Sequence, residues 1–123
     1  MISKDDLKRF MSENNVILSV VAHSSGKEHY RLGQANEMPC TDIVTSLVGD
    51  ANRISQLYNS IQDADLPRMW VQQNAVAYVL NPQQEHIIVL FGITSGNPVE
   101  DFRMAVKANQ EICAIWQAQG KEA

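Results

Sequence analysis

The chain has 123 residues, with 10 Lys and Arg against 14 Asp and Glu and a formal net charge of −4. That length fits one domain with a single substantial core, residues 1–123. Its basic residues, scattered from Lys4 to Lys121, form no patch of the kind nucleic-acid binding requires, and no apolar run reaches the ~20 residues that span a bilayer.

Ser3 opens a first helix, with Asp6 three residues on in an approximate capping box and Leu7, Phe10 and Met11 as its apolar stripe. Asn14-Asn15 stop it. The segment MISKDDLKRFMSENN lacks the hydrophobic core of a signal peptide, which leads to a cytoplasmic expectation. Val16 to His23, VILSVVAH, is apolar on both parities, as in a strand covered on both faces. Ser24-Ser25-Gly26 reads as a hairpin turn, and Lys27 to Leu32 returns as a charged, His-containing edge strand.

After the loop Gly33 to Pro39, the stretch Cys40 to Asp63 reads as one long amphipathic helix. Ile43, Leu47, Ala51, Ile54, Tyr58 and Ile61 fall on its apolar face. The opposite face carries Thr45, Gly49, Asn52, Gln56, Asn59 and Ser60, with Asp42, Arg53 and Asp63 as its full charges. A solvated helix is usually dressed with Lys and Glu. Small uncharged groups around a Gly instead suit close approach by another surface. This face is expected to meet a partner.

Ala64 to Pro67 breaks the helix. Arg68 to Gln73 is a short strand, Ala75 to Leu80 another that is apolar on both parities, and His86 to Ile93 the most hydrophobic strand. Asn97-Pro98-Val99-Glu100 starts the last helix with an Asn cap, Pro at the first position and Glu completing the box. That helix should end at Gly120 and bury Val99, Phe102, Val106, Cys113 and Trp116.

Hairpin pairing and the two-sided burial of the first and last strands predict an α+β fold. Its five-stranded antiparallel sheet has order 2-1-5-4-3, with the long central helix on one face and both terminal helices on the other. The third strand, with Met69, Trp70 and Val71 behind the single Arg68, is then a poorly defended edge.

The chemistry-bearing residues form no catalytic, cofactor-binding or metal-binding pattern. His23, His29 and His86 do not approach a zinc-ligand spacing with one another or with the cysteines. Gly92 and Gly96 lack the Lys-Ser/Thr pair of a phosphate loop. Cys113 falls on the apolar stripe and Cys40 just before the central helix; without motif partners, both are expected as free thiols. Asp5, Asp6, Glu100 and Asp101 lie in first helical turns, where carboxylates complement the macrodipole.

The element order, the segment Thr45 to Asn52, the strand Ile87 to Phe91 and the segment Val99 to Met104 resemble the roadblock/dynein light chain family. The likeness is greatest to its bacterial members, which regulate small Ras-like GTPases. The resemblance implies a homodimer built from the long helix and the first strand of the meander, joined in a continuous sheet. It also implies a small Ras-like GTPase as partner. The expected dimer and partner interface is Thr45, Gly49, Asn52, Arg53, Gln56, Ser60, Met69, Trp70 and Val71. The reading is therefore a non-enzymatic adaptor or regulator with no cofactor. A type III secretion-type chaperone is the alternative, being also small, acidic and dimeric. A profilin- or PAS-like sensor, with Trp70 and Tyr78 lining a pocket, is a third reading, and an enzyme comes last.

Overall fold

The computed structural model describes residues 1–61 and 66–122. Asp63 and the expected break at Ala64 and Asp65 lie outside the described residues. Helix α1 spans Lys4–Asn14. The Ser3 hydroxyl accepts the Asp6 N–H at 3.2 Å, and Asn15, at φ 57°, closes the helix by donating its N–H to the Met11 carbonyl.

Five strands follow the expected positions: β1 Val16–His23, β2 Glu28–Gly33, β3 Arg68–Gln72, β4 Ala75–Leu80 and β5 His86–Ile93. They form one antiparallel sheet in the order β2-β1-β5-β4-β3. Alternation along the strands divides the core into two layers. Val20, Ala77, Val79, Val89 and Phe91 face α2 (Thr41–Val48) and α3 (Ala51–Ile61). Val21, Val76, Tyr78, Ile88 and Leu90 face α1 and the last helix, α4 (Pro98–Glu122). β4 is buried at every position because it has a strand on each side and helices on each face.

The stretch read as one central helix is two. α2 ends at Val48, and α3 begins at Ala51. Asp50 restarts the helix: its carboxylate accepts the Arg53 N–H at 2.8 Å, and its carbonyl accepts the Ile54 N–H at 3.1 Å. The register of the apolar face shifts at this break. Ile43, Leu47, Ile54, Tyr58 and Ile61 are buried, joined by Val44, Val48 and Leu57, but Ala51 is exposed.

The last helix corrects a second expectation. It runs on through Gly120 to Glu122, and Asp101, Ala105, Ala108, Ile112 and Trp116 form its buried face. Val99 and Phe102 are 58% and 40% exposed, while Val106 and Cys113 are half-buried. Small Ala side chains let the helix axis lie close to the sheet. That closeness outweighs the larger apolar groups beside them.

Candidate interaction surface

Thr45, Gly49, Asn52, Arg53, Gln56 and Ser60 are all exposed, on the side of α2 and α3 turned away from the sheet. Because the helix breaks after Val48, they belong to two helical segments and do not form one straight stripe. Their polar groups are mostly turned back on their own helices. The Thr45 hydroxyl donates to the Thr41 carbonyl at 3.4 Å, and the Ser60 hydroxyl to the Leu57 carbonyl at 2.7 Å. Arg53 lies 3.7 Å from the Asp50 carboxylate and donates to the Ser46 carbonyl at 3.4 Å, so its guanidinium bridges the break. The surface offered to a partner carries Arg53 as its one charge among these six residues, and Thr45, Arg53 and Ser60 bond within their own helical layer.

Gly49 is present for a local reason. A Cβ at this position would stand 2.4 Å from the Thr45 carbonyl oxygen, so the tight exit from α2 has no room for a side chain. Contact with another surface is not needed to explain it.

The two sheet edges differ. On β2, Arg31 closes on Glu28 at 2.6 Å and reaches the Val48 carbonyl at 3.4 Å, tying that edge to the end of α2. On β3, which pairs only with β4 among the described residues, Val71 is 53% exposed. Met69 and Trp70 are half-buried on opposite faces, Met69 toward α4 and Trp70 toward the α2–α3 layer. Tyr78 faces the α1–α4 layer. Trp70 and Tyr78 thus lie on opposite faces of the sheet and line no common pocket.

Solved structures match this architecture over most of the chain, three of MglB among them. Myxococcus xanthus MglB aligns with a TM-score of 0.54 at 14% identity, over 89% of this chain and 90% of that one. A structure described as MglB with tetrameric arrangement gives 0.55 at 15% identity, over 90% and 85%. The gliding protein MglB from Thermus thermophilus gives 0.54 at 14% identity, over 90% and 85%.

The chain has the MglB fold. At this identity the likeness is one of fold, and it is the fold that the roadblock resemblance implies. The sequence matches no known family profile and no curated protein. No helix among the described residues is long and apolar enough to cross a membrane.

Sequence reasoning missed a cluster at the opposite end of α4 from its N-terminus. His23 and His86 are register partners on β1 and β5. On β2, Tyr30 pairs with Val21 and Glu28 with Ala22, so His29 is the extra residue of a bulge. The three rings meet with centroids 5.5 to 6.4 Å apart, and Trp116 packs on His86 at 5.2 Å. No group of three or more His, Cys, Asp or Glu side chains among the described residues is arranged to hold a metal ion. The Cys113 thiol, half-buried on α4, is pushed up by burial, which opposes formation of a reactive thiolate.

Proposed function

We propose that the chain is a cytoplasmic, homodimeric and non-enzymatic regulator of a small Ras-like GTPase. The observation that carries this reading is the extended match to the MglB fold, taken with the resemblance to bacterial roadblock proteins that regulate such GTPases. The β3 edge, unpaired among the described residues and with Val71 exposed, lies beside a helical layer whose outer groups carry little charge, which supports self-association. One matching structure is described as tetrameric, which makes assembly a natural expectation for this fold.

Arg53 is held by Asp50 and the Ser46 carbonyl, so it is poorly placed as a finger reaching a nucleotide. If the protein accelerates GTP hydrolysis, it does so by ordering the GTPase's own switch loops. The test is a pull-down across the small GTPases of the same genome, loaded with a GTP analogue or with GDP. Nucleotide-dependent capture of one of them is the expected result. Capture of none in either state would remove the regulatory reading and leave a scaffold or chaperone.

A further inference from the structure

The His23, His29, His86 and Trp116 cluster is built against a positive charge on His29. The Ser25 N–H donates to His23 Nδ1 at 3.1 Å, and the Ser25 hydroxyl lies 2.9 Å from the same nitrogen. His86 Nδ1 lies 3.2 Å from the Gln84 carbonyl oxygen, to which it donates. His29 Nε2 is buried with no hydrogen-bond partner among the described residues. The His29 and His86 rings are stacked, with planes 21° apart. A proton added to His29 would place a positive charge against the stacked His86 ring, with no acceptor for Nε2 among the described residues.

The cluster also seats the last turns of α4. Trp116, 3% exposed, lies against His86 and donates from Nε1 to Gln83 Oε1 at 2.9 Å. Gln119, one turn on, donates to the Asp6 carboxylate of α1 at 2.6 Å. We infer that this cluster is a proton-sensitive seat: the C-terminal turns of α4 dock while His29 is neutral and loosen when His29 takes up a proton.

Charged groups near the seat come from the β1–β2 turn, the β4–β5 turn and α1. Lys27, in the β1–β2 turn, opposes a positive His29, as do His86 and His23. Burial is the largest cause, and together these hold the His29 imidazole below its ordinary value of 6.5. Glu85, in the β4–β5 turn, lies 3.7 Å from His23 Nε2 but is solvent-exposed, so its attraction is screened. From α1, Lys4 sits 5.6 Å from the Tyr30 ring centroid, and Asp6 holds Gln119. The sign follows. With the folded value below the unfolded one, docking is complete above about pH 6.5 and weakens as pH falls below it, where the released state binds more protons.

The experiment uses the full chain with Trp70→Phe, which leaves Trp116 as the single reporter, and measures acrylamide quenching from pH 7.5 down to about pH 5. The quenching constant should rise about threefold as Trp116 is uncovered. Adding His29→Gln should abolish that rise or move it to lower pH. In a Trp116→Phe variant, Trp70 should keep its quenching constant over the same range. Three results would overturn the inference. Trp116 could stay protected at pH 5, His29→Gln could titrate like its parent, or Trp70 could be uncovered in parallel, which would mean global unfolding. One zinc bound per chain and lost with His29→Gln would also overturn it, in favour of a metal site.

Discussion

Gly49 donates its N–H to the Thr45 carbonyl at 3.1 Å, and a Cβ on Gly49 would stand 2.4 Å from that same oxygen. The hydrogen bond and the missing side chain are two sides of one contact. Gly49→Ala should therefore destabilise the fold by about 1–3 kcal/mol, the usual cost of overpacking. Helix propensity alone gives the opposite sign, since Ala is better than Gly by roughly 1 kcal/mol in a helix interior. Denaturant unfolding of the two proteins decides between them, and a more stable Gly49→Ala would show that the exit from α2 relaxes freely.

Because Gly49 has a local role, the self-association surface is better probed at Val71. Its side chain is 53% exposed on the β3 edge, so Val71→Lys should leave the stability of a monomer within about 0.5 kcal/mol of wild type. If β3 pairs with its copy, two lysines meet near the two-fold axis on a strand that lysine normally protects from pairing. A loss of ~3 kcal/mol would weaken dimerisation by roughly a hundredfold. Sedimentation of wild type, Val71→Lys and the exposed control Gln117→Glu measures this. A wild-type monomer, or a Val71→Lys dimer of undiminished affinity, rules out β3 pairing.

Asp101, 3% exposed, anchors the turn between β5 and α4. Its carboxylate accepts the Thr94 hydroxyl and, at 2.8 Å, the Ser95 N–H. Burial pushes the carboxyl up, but the hydrogen bonds from Thr94 and Ser95 outweigh it and hold the group below its ordinary 3.8. With the folded value depressed, the stabilisation is fully present above the unfolded value and is lost as pH falls through the folded one. Asp101→Asn should cost about 1–3 kcal/mol at neutral pH and flatten the acid limb of the stability profile. Thermal melts of both proteins between pH 7 and 2 test this, and parallel profiles would show that Asp101 does not supply that slope.

Ser19 lies on β1, fully buried, and its hydroxyl has no hydrogen-bond partner among the described residues. Ser19→Ala removes the unsatisfied group at little cost in packing. It is expected to be neutral or stabilising by up to about 1 kcal/mol. A loss of more than that in denaturant unfolding would reveal a partner for the hydroxyl, such as a buried water.

Much of the fold was legible because it depends on local periodicity and on simple counting of covered faces. β1, β4 and β5 have the residues expected of them, since a strand apolar on both parities admits few other structures. Those same strands, each needing neighbours, left one economical order for the sheet. The caps at Ser3 and Asn97 were equally plain, because a cap is made by groups within four residues of one another.

Contacts between distant segments were decided only by the tertiary structure. The division of the central helix falls where the β1–β2 turn packs against it. A Cβ on Gly26 would stand 2.3 Å from the Ala51 carbonyl oxygen, so that turn lies directly against the start of α3. α4 buries Ala105 and Ala108 in preference to Val99 and Phe102 because close approach to the sheet favours small side chains, which a hydrophobic wheel does not register. The histidines were dismissed on spacing along the chain. Their meeting needed the β1–β5 register and a one-residue bulge in β2, which turned His29 onto the face where His23, His86 and Trp116 converge.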